Sequence, residues 1–432
     1  MNRTWKIISG VVAAVVVVGG ATLFALTSRS IPTEKLYSTG QAANTVDPKA
    51  FEALFPATYE SFMKNALNAP AALKYHAAEP KKSKLDTNDY MRVLWNGYAF
   101  SKEYNEARGH AYVLSDTIGE TKTARIGAAT NLTCMYCKSA EVPGLIQQMG
   151  NSFYNTKLLE GNNKDLFKHG ISCSDCHDPQ SMALRITRPA LTEALARQGI
   201  DVSKATEQQM RSYVCAQCHV TYFFNPKDNN KVYFPWDKGY EASQIYDYET
   251  NTVGLTEWTQ PATGAGMIKA RHPEFEMFQG SVHEQAGLSC ADCHMPLMKQ
   301  GETKISSHWL TSPMATYQQS CAQCHKQTEQ EMRKQVITIQ DRAKAEIDRA
   351  GEANKAATEA IEKAKNTAGV DAKLLKEAQD TIRQSQFYWD LISSENSTGF
   401  HNSPKMMQTL SQSIDLARQA QLKAMQAIAA AR

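Results

Sequence analysis

No cysteine in this chain is spare. All ten fall into five CxxC pairs, at 134/137, 173/176, 215/218, 290/293 and 321/324, and a disulfide framework does not take that layout. Charge of one sign is also missing: 47 Lys and Arg stand against 44 Asp and Glu, net +3. No basic block reaches the length that marks nucleic-acid binding, so a polyanion partner is excluded. Regular hydrophobic periodicity is scarce between residues 51 and 325, and the gaps between successive pairs, 39, 42, 75 and 31 residues, are too uneven for a stacked repeat. No A-x-A cleavage site follows the uncharged apolar run IISGVVAAVVVVGGATLFAL at 7–26.

That run is longer than a cleaved signal core and about the length that spans a bilayer, so residues 1–28 are expected to be an export signal kept as a membrane anchor. Residues 29–50, with Pro32 and Pro48, look like a linker, and 51–325 carry all five pairs. A chain wrapped around large prosthetic groups packs on them and needs less core of its own. Residues 326–432 are different, rich in Ala, Glu, Lys, Arg and Gln. Val336, Ile339, Ala343 and Ile347 recur at helical spacing through Lys365. Asp371 reads as the cap of a second helix to about Ile392, and Ser403 with Pro404 as cap and first residue of a third. The apolar seam of these helices must pack on the core or on a second copy of the chain. The fold class expected is mostly α, an irregular core packed around the groups that the thiol pairs attach, followed by long C-terminal helices.

Four of the pairs continue to histidine: His177, His219, His294 and His325. CxxCH attaches c-type haem, the thiols forming thioethers to the porphyrin and the histidine reaching the iron from the same turn. Zinc knuckles give no reason for a histidine to follow four times, and five pairs cannot be matched two by two. The remaining pair, Cys134 and Cys137 in CMYCK, places Lys138 where histidine stands elsewhere. A lysine binds iron only as a neutral amine, against a free pKa of about 10.4, so the site must bury it and let the metal replace its proton. The alternative is a degenerate pair without haem beside a surface lysine. Five haems carry ten propionates, which would make the loaded protein acidic.

CMYCK followed by four CxxCH, with "LWNGYAFSKEYNEARGHAY", "CHVTYFF", "VYFPWD" and "MIKARHPEFEMFQGSVH", resembles the pentahaem cytochrome c nitrite reductases, which form ammonia from nitrite. The resemblance implies that Lys138 holds the catalytic iron with its distal side open, facing Arg125, Tyr222 and His272. Arg108 is the fallback for Arg125. It also implies distal imidazoles: His308 for the haem at Cys173/Cys176, His110 for Cys215/Cys218, His401 for Cys290/Cys293 and His283 for Cys321/Cys324. His76 and His169 stay without a role. Further implications are a periplasmic homodimer joined through the C-terminal helices. Its electron donor would be a membrane tetrahaem quinol dehydrogenase or a small multihaem cytochrome.

One departure changes the cofactors implied. Many members hold calcium through a Glu-Tyr pair and a Lys-x-Gln; here these read Thr221-Tyr222 and Lys269-Ala270-Arg271. Calcium wants six to eight oxygens, some anionic, and a guanidinium repels it. Arg271 is therefore expected to stand in place of calcium and to order Tyr222 through its charge and planar donors. The other reading of Arg271 points it to solvent. Two other functions fit the sequence: an electron conduit whose fifth iron is closed by a sixth ligand, and a reductase acting mainly on hydroxylamine or sulfite.

Overall fold

The computed structural model describes residues 45–67, 74–75, 83–99, 108–118 and 130–431. The apolar run at 7–26, most of the linker, His76 and Arg125 lie outside the described residues. Within them no helix is long and apolar enough to cross a membrane.

Up to residue 325 the elements are short, and local chemistry sets the turns that carry the thiols. In SCSDC and SCADC the serine and the aspartate three residues on form reciprocal capping boxes, Ser172 with Asp175 and Ser289 with Asp292. Each box starts a helix of about one turn, Cys173–Cys176 and Cys290–His294. Residues three apart on a helix share a face, so both thiols point the same way. The third pair ends the helix Glu207–Ala216, while the first and fifth lie on 3-10 turns, Leu132–Met135 and Cys321–Gln323. Three two-stranded antiparallel ribbons complete this region, Phe223–Asn225 with Lys231–Tyr233, Trp258–Thr259 with Gly266–Met267, and Leu297–Gln300 with Thr303–Ser306.

The fifth pair is the least enclosed. Cys324 is exposed, whereas the other nine cysteines are buried or half-buried. The reason lies in what packs around its turn. Met314, Tyr317, Met332 and Val336 form a small apolar cluster that reaches Cys321 and Ala322 and stops there. Cys324 closes the turn on the far side, its N–H donating to Cys321 O at 3.2 Å, and His325 is exposed beside it. This attachment turn therefore sits at the protein surface.

Three helices follow, Glu329–Lys365, Ala372–Ser393 and Ser403–Ala429. The first opens on a Thr328–Glu331 capping box. Asp371 caps the second, accepting from the backbone N–H groups of Lys373 and Leu374. The third corrects the sequence reading. Its cap is Asn402, whose side chain accepts from Lys405 N, and Pro404 sits one position inside Ser403. Both of the first two helical positions have N–H groups without intrahelical partners, so proline is tolerated at either.

The apolar seams are covered within the chain. Ala350, Ala353, Ala357, Ala417, Ala420 and Ala424 are buried and let the helices approach closely. Between them Asn354 Nδ2 donates to Ser413 Oγ at 3.1 Å, and Ser413 Oγ donates to Ser385 O at 2.8 Å. Such buried hydrogen bonds between helices help fix their register. Tyr90–Leu94 docks on the same bundle: Tyr90 Oη donates to Asp348 at 2.8 Å and its ring lies where a side chain on Gly351 would be. Trp95 packs between Trp258 and Trp389, ring centres 5.7 and 5.6 Å away. The bundle also holds the loop before His272, because Asp390 accepts from Ala270 N at 2.6 Å and from Lys269 Nζ at 2.7 Å.

Candidate active site

Eight histidines meet in four pairs. Ring centres are 5.9 Å apart for His110 and His219, 6.1 Å for His177 and His308, 6.2 Å for His294 and His401, and 6.3 Å for His283 and His325. Metal–nitrogen bonds of about 2 Å on either side of one ion put two imidazole centres about 6 Å apart. Several rings are oriented from behind by their other nitrogen. His177 Nδ1 faces Met182 O at 2.8 Å, His294 Nδ1 Thr311 O at 2.9 Å and His308 Nδ1 Ser306 O at 2.8 Å. His401 Nδ1 lies 2.7 Å from Glu395 Oε1. This is the arrangement that fixes a ligating histidine's tautomer and leaves Nε2 for the metal. With two thiols beside each pair, the donor sets fit covalently held haem. The surface position of Cys324 leaves that fit intact, because His283 and His325 keep the same ring separation as the enclosed pairs.

The thiol pairs also adjoin one another. Cys137 neighbours Cys218, and Cys215 neighbours Cys290. The first, third and fourth attachment sites therefore abut.

The turn bearing Cys137 and Lys138 is held on both flanks. Arg188, buried, donates from Nε to Tyr136 O at 2.9 Å and from Nη2 to Ser139 O at 2.9 Å, while its Nη1 lies 2.7 Å from Asp175. Asp175 belongs to the capping box of the second attachment turn, so one guanidinium ties two attachment sites together. His169 takes part as well: Glu141 lies 2.7 Å from its Nδ1 and accepts from its backbone N–H, and its carbonyl accepts from Ala140 N. Among the described residues Lys138 Nζ has no hydrogen-bond partner.

Tyr222, His272 and Arg271 converge beside this turn. The Tyr222 and His272 ring centres are 6.4 Å apart, and Arg271 Cζ lies 5.1 Å from the Tyr222 ring centre. Burial pushes the Tyr222 phenol up, while the Arg271 cation pulls the other way. His272 is held below the usual histidine range chiefly by burial, against the raising effect of Glu274. Glu274 accepts at one oxygen from two rings, His272 Nδ1 at 3.2 Å and His219 Nδ1 at 3.3 Å, and its other oxygen accepts from Asn396 N at 3.0 Å. The carboxylate thus fixes the ring of a haem-site histidine and the ring of His272 to the loop between the last two helices. These three side chains are also where a small metal-ligating cluster occurs among the described residues, though both histidines are already committed to other roles by their positions.

Arg271 does not face solvent. Its Nη1 donates to Glu257 at 2.8 Å and to Lys269 O at 2.6 Å, and its backbone N–H donates to Thr221 Oγ1. Arg108 is paired with Asp116, Nε to Oδ2 at 3.0 Å, with its guanidinium over the Tyr112 ring. Sequence reasoning did not single out Glu257, Glu274 or Arg188. Glu274 stands two residues past His272 and carries a local signal, whereas Glu257 and Arg188 reach their partners only through the fold.

A family model described as cytochrome c552 matches residues 47–432. The chain is 35% identical over 424 residues to the cytochrome c nitrite reductase subunit NrfA of Nitratidesulfovibrio vulgaris, covering 91% of this chain and 81% of that one. It is also 35% identical over 429 residues to a cytochrome c-552 of Bacteroides fragilis, covering 97% and 85%. Among solved structures, the cytochrome c nitrite reductase of Desulfovibrio desulfuricans, described with two calcium sites in its catalytic subunit, superposes with a TM-score of 0.83 at 32% identity, over 92% of this chain and 88% of that one.

Proposed function

The chain belongs to the cytochrome c552 family, and on that premise we propose that it reduces nitrite to ammonium. The site is the one at Cys134, Cys137 and Lys138; the four other attachment sites relay electrons to it. Four histidine ring pairs beside four CxxCH turns, and a lysine in place of a histidine after Cys134 and Cys137, support this division of labour. Haem held by Cys134, Cys137 and Lys138 would supply an iron centre able to bind the anion and pass electrons to it. Nitrite with six electrons and eight protons becomes ammonium and two waters, so the chain must deliver protons throughout. His272, Tyr222 and Arg125 are the residues for that: a cation to hold the anion and proton donors to let its oxygens leave as water.

Arg271 takes the place of calcium in this reading. Its pair with Glu257 and its position over Tyr222 support a guanidinium that orders the phenol. Chelators should leave activity unchanged, and metal analysis should find no stoichiometric calcium; calcium that is both stoichiometric and required would end this assignment.

The protein acts in the periplasm, anchored by residues 1–28, as a homodimer. Leu422 and Met425, more than half exposed on one side of the last helix, support a second copy covering it. A membrane tetrahaem quinol dehydrogenase or a small multihaem cytochrome supplies the electrons. Anaerobic nitrite turnover by wild type beside Lys138→His tests the whole reading. The variant restores an ordinary CxxCH and should still bind five haems, while ammonium formation falls at least roughly tenfold, the scale of ligand-sphere changes at metals. Full activity in the variant would contradict the role given to the lysine. A conduit would show no ligand-accessible high-spin haem, and parallel assays with hydroxylamine and sulfite rank the substrates.

A further inference from the structure

Behind Arg271 lies an acid the mechanism above does not use. Glu249 is fully buried on a π-helical turn, Tyr248–Val253, and among the described residues neither of its carboxylate oxygens has a hydrogen-bond partner. A turn of this kind is uncommon and concentrates at functional sites. An ionised carboxylate in that position would be a buried, unpaired charge, which costs far more than a neutral acid with one unmet donor. The charged groups facing it are Glu257 and Arg271 from the active-site loops and Arg383 and Asp390 from the second tail helix. Of the two cations, Arg271 is already paired with Glu257. Arg383 is turned to the carbonyls of Gly266 and Leu255. Asp390 is satisfied by Lys269. The burial of Glu249, helped by Glu257, holds its carboxyl well above the usual range.

Its position joins two regions. On one side is a surface cavity of about 620 Å³ whose lining includes Thr250, Leu255, Thr256, Gly266 and Arg383. Thr250 is the next residue along the turn, and Leu255 N donates to Glu249 O at 2.8 Å. On the other side stand Glu257, its partner Arg271, and the Tyr222 ring.

We propose that Glu249 is a proton-storing residue for the reductase, taking protons from the surface cavity and releasing them by way of the Glu257 carboxylate toward Tyr222, with Arg271 staying charged throughout. The inference rests on the nitrite-reducing reading of the site. Each transfer moves one proton, leaves a carboxylate at Glu249, and is reset by a proton from water in the cavity; no electron passes through the residue. Eight protons are consumed per nitrite, and a buried acid beside the site is one place to hold them.

The test uses the haem-loaded full chain and the variants Glu249→Gln and Glu249→Asp. Infrared difference spectra between oxidised and reduced protein should show a protonated-carboxyl band that is absent in Glu249→Gln. Nitrite turnover in that variant should fall roughly tenfold, at the low end for loss of a proton-transfer group. Its KM for nitrite, haem spectra and ferric-nitrite complex should be unchanged, and its solvent deuterium isotope effect larger. Glu249→Asp, which keeps the acid, should recover most of the rate. A difference spectrum identical in wild type and Glu249→Gln, or turnover and isotope effect at wild-type values in Glu249→Gln, overturns the proposal. Wild type without nitrite turnover would instead defeat the nitrite-reducing reading, and the infrared comparison would still decide whether Glu249 carries an exchangeable proton.

Discussion

His272→Asn should lower nitrite turnover by about 10²- to 10⁴-fold, the range for removing a positioned general acid, while the protein keeps its haem spectra and still binds nitrite in the ferric state. The substitution isolates one atom. The asparagine amide can occupy the place of the imidazole Nδ1 and donate to Glu274, which now receives it at 3.2 Å, so the loop stays tied to Asn396. What asparagine lacks is the second nitrogen, on the edge of the ring turned away from Glu274. Tyr222→Phe makes the matching change across the site, removing a hydroxyl and keeping the ring under Arg271. If both residues serve one proton-delivery step, the double variant should lose little more than the worse single one, since groups acting as a unit are far from additive. Single-turnover reduction of bound nitrite, assayed as ammonium, measures the effect without interference from electron delivery. Turnover of His272→Asn within about threefold of wild type would remove His272 from the list of proton donors.

How much of this was legible in the sequence depended on how local the chemistry was. CxxCH and CMYCK declare attachment because two thioethers and a ligand must come from one turn, and that turn is a few residues long. The depth of each turn is not in the motif: CAQCH occurs twice, yet Cys218 is half-buried and Cys324 exposed, because different neighbours pack over the two copies. The capping of the second tail helix by Asp371 was as local as the motifs. The third helix shows the limit: "HNSPK" offers two adjacent capping residues, and the preference for proline at the first helical position favoured Ser403 over the Asn402 that the fold uses. Ligand partners were beyond spacing altogether. His177 and His308, or His110 and His219, stand more than a hundred residues apart in the chain, and only the resemblance to a known family offered them as pairs. The ion pairs that brace the site are of the same non-local kind. Nothing in "ITRPAL" announces that Arg188 will reach the carbonyls of Tyr136 and Ser139. Nor does "EWTQ" announce that Glu257 will neutralise Arg271. Arg271 itself was open to a solvent-facing reading until its burial among Tyr222, Phe224 and Glu257 decided otherwise.

Arg188→Met should destabilise the protein by about 3–5 kcal/mol, because it leaves the Asp175 carboxylate buried without its cation. For a chain of this size that corresponds to a melting temperature lower by on the order of 3–6 °C. Both side chains are nearly inaccessible to water, 1% exposed for Arg188 and 5% for Asp175, so solvent cannot replace the lost partner. Removing the charge from both sides tells the stability role from the positioning role. In Arg188→Met with Asp175→Asn, no ion is left buried, and exchanging a buried pair for neutral groups is often close to neutral in stability. An asparagine at that position keeps an oxygen to accept from Ser172 N, as Asp175 does at 2.8 Å, so the capping box of the second attachment turn survives. Most of the melting temperature should return. The carbonyls of Tyr136 and Ser139, however, still lack the donors that pin the turn around Lys138. The high-spin signal expected of a haem ligated by Lys138 should therefore stay broadened or shifted in the double variant after its stability has recovered. A double variant that recovered both the melting temperature and the wild-type high-spin spectrum would reduce Arg188 to the neutralisation of Asp175, with no part in presenting Lys138.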